Sequence, residues 1–317
     1  MSGKTKCAPL AGQTVSADFE DILERWLESR SHGEAREAFA ALVRERSLTG
    51  FPLPSGDCGR WAEAFAASLP VSPEHPHVRR HGNLALKLCD SGEAASKEAG
   101  AQDCASTLLP AGLRPLRPVE IAGAFLVSRF VEGDSFDGRN REHVRAAAAH
   151  LARIHQTEIS PAMASWLRRR GQCHYEGCAL RNRLQEEVGN VRLAFGEPSA
   201  ALLAEALPDV QAEVVLGHGD YQGPNMVFGT DRIFLTDWGD FGLCHPWYEV
   251  AHFLWFVEED MEDIALESYL DVRRHPGNAE KGLEKGRLID GIIRAGSVAR
   301  MMLRRETEPV SALPPPW

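Results

Sequence analysis

Asp220, Asn225 and Asp237 are the residues of this 317-residue chain whose types and spacing could do chemistry together. They stand in two stretches, Gly217-His218-Gly219-Asp220-Tyr221-Gln222-Gly223-Pro224-Asn225-Met226-Val227-Phe228 and Ile233-Phe234-Leu235-Thr236-Asp237-Trp238. The apolar runs 226–228 and 233–236 are separated by Gly229-Thr230-Asp231-Arg232, a turn composition. Pairing Phe228 with Ile233 sets Asn225 opposite Thr236. Asp237 then emerges beside Asn225 at the open end of the hairpin, and Asp220 sits one short loop away. Two carboxylates and an amide oxygen converge there, with glycines that let backbone approach closely. Oxygen ligands of this kind suit Mg²⁺, which takes one or two carboxylates and substrate phosphates. The third group is free to accept a proton from a substrate hydroxyl. That is the division of labour of phosphoryl transfer, in which positioning and charge neutralisation supply most of the catalysis. The plainer reading makes Asp220 and Asn225 a turn with capping side chains and Asp237 a strand end.

The elements that must position this hairpin follow from periodicity. Residues 18–46 place Phe19, Ile22, Leu23, Trp26 and Leu27, then Phe39, Leu42 and Val43, at helical spacing, with a break at His32-Gly33. Residues 61–69 read as strand-like, and a Pro- and His-rich connection covers 70–81. Strands are expected over 84–88 and 125–131, a helix over 92–105, and another over 141–156. Residues 277–286 read as a polar loop and 313–317 as an extended tail. Strands first and helices afterwards give an α+β fold with two lobes divided near Phe130. The boundaries are an N-terminal extension and nucleotide-binding lobe over 1–128, and a catalytic and substrate-binding lobe over 129–317.

A net charge of −10 argues against nucleic acid as a partner, because a phosphate backbone demands a basic face. The 44% hydrophobic and 25% charged residues are those of a globular protein with a sizeable core. Residues 1–15 are polar and lack the apolar stretch of a signal peptide, and no run approaches the length needed to span a bilayer. The seven cysteines are odd in number and scattered. Cys173-His174 and Cys178 could be read as three metal ligands, but without a CxxC pair or a second cluster they read as free thiols. A reduced, cytoplasmic protein without a membrane partner is expected.

The interval from Asp220 to Asn225, with His218 two places before the Asp, is that of the protein-kinase catalytic loop. His-x-Asp-x-x-x-x-Asn followed by a hydrophobic strand and Asp-Trp resembles the aminoglycoside phosphotransferase and choline kinase superfamily. Over 237–251, Asp237-Trp238-Gly239-Asp240 through Trp247-Tyr248-Glu249-Val250-Ala251 resembles the segment after the metal-binding Asp, particularly in hygromycin-type phosphotransferases. The resemblance covers roughly residues 55–256. It implies a protein-kinase-like fold, small and β-rich at the N-terminal lobe and mainly helical beyond. It implies ATP or GTP and Mg²⁺ as cofactors, Asp220 as catalytic base, Asn225 and Asp237 as metal ligands, and His218 as a buttress of the loop. Upstream, Lys87 in Leu84-Ala85-Leu86-Lys87-Leu88 resembles the lysine directed at the α- and β-phosphates, with Glu98 as helix partner and Glu93 as the competing choice. Residues 125–133 resemble the hinge, where the backbone around Ser128 and Phe130 would meet the nucleotide base. His155 and Glu249 read as structural. No GxGxxG precedes Lys87, and the phosphate loop is sought around Gly56 in Ser55-Gly56-Asp57-Cys58-Gly59-Arg60. Neither Asp-Phe-Gly nor Ala-Pro-Glu follows Asp237 in the manner of protein kinases.

For the acceptor, Asp240, Glu258, Glu259 and Asp260 are carboxylates downstream of the metal site that could hold a cationic amino sugar. The bland reading of that run is a solvated helix face. Trp247, Trp255 and Phe256 could instead box a quaternary ammonium such as choline, although aromatics at this spacing also read as core. A reading of another class is a pseudokinase or scaffold that keeps the fold without turnover.

Overall fold

The computed structural model describes residues 23, 24, 27, 59–71, 77–210, 213–273 and 278–307. Most of the helical segment expected over 18–46, the extended tail at 313–317, and Gly56 with its neighbours therefore lie outside the described residues. The chain divides into two compact units: Met1–Ser47 with Arg181–Asp209 and Leu288–Trp317, and Leu48–Leu180 with Val210–Arg287. Every described residue singled out above for chemistry belongs to the second.

The second unit opens with helix α1 (Gly59–Ala66) and an antiparallel sheet ordered β1-β2-β3-β5-β4. Its strands are β1 (Leu69–Pro70), β2 (Val78–His81), β3 (Leu84–Leu88), β4 (Glu120–Ala122) and β5 (Phe125–Arg129). The strand-like texture expected over 61–69 is corrected, since α1 occupies most of it. Trp61 and Phe65 stand one helical turn apart, and both bury against Leu86, Leu88, Phe125 and Val127. An i, i+4 aromatic pair in an alanine-rich stretch is a helix face. Strand β2 was also not expected, because it lies in the Pro- and His-rich connection. Helix α2 (Gly92–Leu108) follows β3, capped by Ser91, whose hydroxyl accepts from the Ala94 N–H at 3.1 Å.

Helix α3 (Arg141–His155) starts at an Asn140 cap that accepts from the N–H groups of Glu142 and His143. After it come α4 (Pro161–Arg169), α5 (Gly177–Phe195) and α6 (Glu197–Glu205). The hairpin forms in the expected register: β8 (Met226–Phe228) pairs with β9 (Ile233–Leu235), and Phe228 faces Ile233. The two-residue strand β6 (Asp134–Ser135) adds to its outer edge. A second small sheet, β7 (Val215–Gly217) with β10 (Gly242–Cys244), is buried at every position. Neither strand was read from sequence, because three wholly buried residues carry no alternation.

Helices α7 (Pro246–Leu254), α8 (Glu262–Val272) and α9 (Ala279–Thr307) complete the described chain. The polar loop expected over 277–286 is helical from Ala279. Its glycines mark close packing rather than a break, since a side chain at Gly282 or Gly286 would collide with Trp247. The core of this unit gathers Leu151, Tyr221, Trp238, Phe241, Phe253 and Tyr269 around the hairpin. In the first unit, buried Glu187 forms ion pairs with Arg183 and Arg300.

Candidate active site

The loop between β7 and β8 is fixed by buried groups on both sides. His218, fully buried, lies between its own loop and the end of β9: its Nδ1 accepts the Asp220 N–H at 3.3 Å, and its Nε2 is 2.9 Å from the Thr236 carbonyl oxygen. A carbonyl only accepts, so the proton sits on Nε2. On the other side, Glu249 of α7 accepts the Gly219 N–H on Oε1 at 2.5 Å. Its Oε2 meets His155 Nε2 at 2.8 Å, and His155 Nδ1 meets the Tyr269 hydroxyl at 2.8 Å. Burial holds the His155 pKa below its ordinary value, against the opposing pull of Glu249. Gly219 has φ +85°, and a side chain there would collide with Asp240. Only glycine suits both conditions.

Asp220 receives three side-chain hydrogen bonds. Its Oδ2 accepts from Gln222 Nε2 and Asn225 Nδ2, each at 2.8 Å, and its Oδ1 accepts from His252 Nε2 at 3.0 Å. Burial pushes its pKa up, but the His252 contact, the His218 imidazole and the Asn225 amide outweigh it and bring the value to about 2. The Asn225 nitrogen also lies 3.0 Å from the Asp220 carbonyl oxygen. Both neighbours are acceptors, which fixes the NH₂ on that side and leaves Oδ1 as the end available to a cation.

Asp237 follows β9 with φ 57° and ψ 60°, the one positive φ outside glycine among the described residues. Such backbone costs of order 1–3 kcal/mol and persists where its surroundings enforce it. Here the next residue, Trp238, is almost wholly buried and donates from Nε1 to the Leu235 carbonyl at 2.8 Å. The Thr236 N–H donates to the Asn225 carbonyl at 2.9 Å, which sets Asn225 and Asp237 side by side as the hairpin register requires.

Lys87, on β3, extends Nζ to Glu98 Oε2 at 2.7 Å and to Asp237 Oδ1 at 2.8 Å. Glu93 stays exposed in the first turn of α2, so the ion pair falls to Glu98. Burial alone would lower the lysine's pKa, but the carboxylates of Asp237 and Glu98 raise it above the ordinary value. Burial raises that of Glu98, which Lys87 opposes.

The remaining candidates are placed less centrally. Ser128 is half-buried opposite Ala85. The Phe130 N–H donates to the Asn83 carbonyl at 2.8 Å. Asp240 lies against Gly219 and accepts from the Tyr175 hydroxyl at 3.2 Å. Glu258 pairs with Arg139 at 3.3 Å, while Glu259 and Asp260 are exposed in a short 3₁₀ turn. Trp247 and Trp255 are 7% and 8% exposed, so they are core rather than walls of an open cage. Cys173 and Cys178 are free thiols. Sequence reasoning missed Gln222 and His252. The first lies inside the motif and could have been questioned there, but His252 is distant in sequence and only the packing of α7 brings it to Asp220.

The fold is of the α+β class, a small antiparallel sheet followed by mainly helical chain. The profile of the phosphotransferase enzyme family APH matches residues 74–281, and the chain belongs to that family. Among solved structures it is similar to macrolide 2′-phosphotransferase MphH from Brachybacterium faecium (16% identity, 76% of this chain and 88% of that one, TM-score 0.54). It is also similar to choline kinase LicA from Streptococcus pneumoniae (15%, 88% and 93%, TM-score 0.53). A third is aminoglycoside 2′-phosphotransferase-IIIa, solved as a GDP complex (12%, 86% and 93%, TM-score 0.55). At these identities the likeness concerns the fold. A search of curated proteins found no match. No described helix is long and apolar enough to cross a membrane.

Proposed function

We propose that this protein transfers the γ-phosphate of ATP or GTP to a hydroxyl of a small cationic molecule, an aminoglycoside or related amino sugar. The observation that carries the reading is the joining of three groups: Asp220 held by Asn225, Asn225 beside Asp237, and Asp237 tied through Lys87 to Glu98. The described residues contain no group of three or more His, Cys, Asp or Glu side chains able to hold a metal. A site of one carboxylate and one amide oxygen fits Mg²⁺, which fills its shell with water and phosphate oxygens. Asn225 Oδ1 and the Asp237 carboxylate would hold it, and it would supply charge neutralisation at the phosphates.

The chain's own groups divide the remaining work. Lys87 binds the α- and β-phosphates, and the backbone around Ser128 and Phe130 meets the base, in the region proposed over 1–128 as an N-terminal extension and nucleotide-binding lobe. Asp220 orients the acceptor hydroxyl and takes its proton. With a pKa of about 2 it is a weak base, suited to a loose transition state in which the proton leaves late. Asp240, Glu258, Glu259 and Asp260, on the catalytic lobe over 129–317, bind the acceptor's ammonium groups. The buried state of Trp247 and Trp255 disfavours the aromatic cage that choline would need.

The test is release of nucleoside diphosphate with Mg²⁺ across a panel of amino sugars, choline and neutral sugar alcohols. Turnover is expected with amino sugars. Turnover with choline alone would move the acceptor class. Nucleotide binding with no transfer to any acceptor would favour a scaffold.

A further inference from the structure

A carboxylate offers about four lone-pair directions, two on each oxygen. In Asp220, Oδ2 has both filled, by Gln222 Nε2 and Asn225 Nδ2. Oδ1 has one filled, by His252 Nε2. The Asp220 side chain is still 30% exposed, so the remaining direction on Oδ1 can be reached from outside. His252 itself is buried at 8% exposure, with the rings of Tyr248 and Phe256 beside it at 5.7 and 6.1 Å. It stands one turn beyond Glu249 on α7. That helix therefore grips the catalytic loop twice, at the Gly219 N–H through Glu249 and at the carboxylate through His252.

We propose that His252 is a positioning residue for the phosphoryl transfer: it fixes the rotation of the Asp220 carboxylate and leaves one open direction on Oδ1, which receives the acceptor hydroxyl. The proposal rests on the phosphotransferase reading above. Its physical basis is the softness of the torsion that turns an Asp carboxylate, which is broad and roughly two-fold. Two donors on Oδ2 anchor one edge of the group, and His252 anchors the other. In the reaction the acceptor O–H bond breaks and its proton passes to Asp220 Oδ1. The acceptor oxygen bonds to the γ-phosphorus, and the bond from that phosphorus to the bridging oxygen breaks. Its electron pair stays with the departing nucleoside diphosphate. His252 neither gains nor loses a proton in this step. Asp220 returns its proton to solvent once the phosphorylated product leaves.

Two substitutions and one spectroscopic signature test this. His252→Leu removes the donor and keeps an apolar side chain in the pocket. It should lower kcat on the order of ten- to a hundred-fold, the scale of a small misplacement of reacting groups, with the nucleotide KM unchanged. His252→Gln restores an N–H donor and should recover most of that loss. A role in stability alone would lower the melting temperature of both variants and leave kcat of the folded protein intact. Independently of turnover, the full-length protein with ¹⁵N-labelled histidine should show a downfield, slowly exchanging Nε2–H resonance of His252 that is lost in Asp220→Ala. Transfer by the wild type with unimpaired His252→Leu overturns this proposal alone, as does a Gln variant no better than Leu, or a resonance indifferent to Asp220→Ala. Absence of transfer to any acceptor overturns the phosphotransferase reading and this role with it, while the resonance still reports whether the contact exists.

Discussion

The Asp220 loop, bonded at Asn225 to Thr236, and the Lys87 cluster, which holds the next residue Asp237, are held by different forces. His218, Glu249 and Asn225 are each at most 3% exposed, and they hold the loop by directed hydrogen bonds to backbone or to Asp220. Lys87, Glu98 and Asp237 are instead balanced by charge, and the Asp237 side chain is 40% exposed. Buried hydrogen bonds specify one geometry, because a missing partner leaves a desolvated group unsatisfied. A partly exposed ion pair gives way more readily when a stronger cation or a phosphate arrives. The loop is thus the rigid half of the site and the cluster the half that can exchange partners.

The largest effect should come from the rigid half. Asp220→Ala removes the base and should cost about a hundred-fold or more in turnover, the scale of general-base catalysis. Nucleotide binding should survive, as it belongs to the other half. Near-full turnover on a verified acceptor would show that the base lies elsewhere. The pH profile carries a matching sign. In the proposed mechanism the ionised form is the active one, and the pKa is held near 2, below the ordinary carboxylate value. Activity through Asp220 should therefore be lost only as pH falls through about 2. An acid limb between pH 4 and 6 must belong to another group.

Glu249→Leu strikes the frame of the same loop without touching substrate. It strips the acceptor from the Gly219 N–H and from buried His155, each worth roughly 1–3 kcal/mol when left unsatisfied. A loss of roughly 2–6 kcal/mol in urea unfolding is expected. A variant as stable as wild type would mean the loop is held by packing alone.

The contrast between the halves also explains what could be read from sequence. Asp220, Asn225 and Asp237 lie within 18 residues, and the register of one hairpin brings them together. Local chain geometry carried that inference. The Lys87–Glu98 pair rested on order along the chain, and Glu93 could be set aside only once α2 had a direction. His252 depended on the docking of α7, and no local pattern encodes a contact made across 32 residues. The helices over Trp61–Phe65 and Gly282–Gly286 run against the strand and loop textures expected there, and in each a spacing of four marks the helix face that packs.

Lys87→Met tests the exchangeable half. It should weaken nucleotide binding about ten- to a hundred-fold, since a hydrogen bond to a charged group contributes about 1.5–3 kcal/mol. Buried Glu98 also loses its partner, so some fold stability is lost as well, and equilibrium binding of a non-hydrolysable nucleotide to the folded variant isolates the nucleotide effect. Binding that survives intact would remove Lys87 from the phosphates.

The smallest effect is expected farthest from the loop, in the run that includes Glu258, Glu259 and Asp260. Glu259 and Asp260 are exposed, and Glu258 already has Arg139 as partner, so each contact to an ammonium group is an exposed ion pair. Such pairs contribute about 0.2–1 kcal/mol, or up to about five-fold in affinity apiece. Their joint action on a polycation is larger, because several like charges raise its local concentration. Changing all three to amides should raise the acceptor's KM by about ten-fold, leave the nucleotide KM alone, and flatten the dependence on salt. Wild-type affinity must weaken as ionic strength rises, since exposed charges are screened over about 8–10 Å near physiological salt. An acceptor affinity indifferent to salt, or to the three amides, would return this run to a solvated surface and leave Asp240, lodged beside Gly219, as the remaining acceptor-binding candidate.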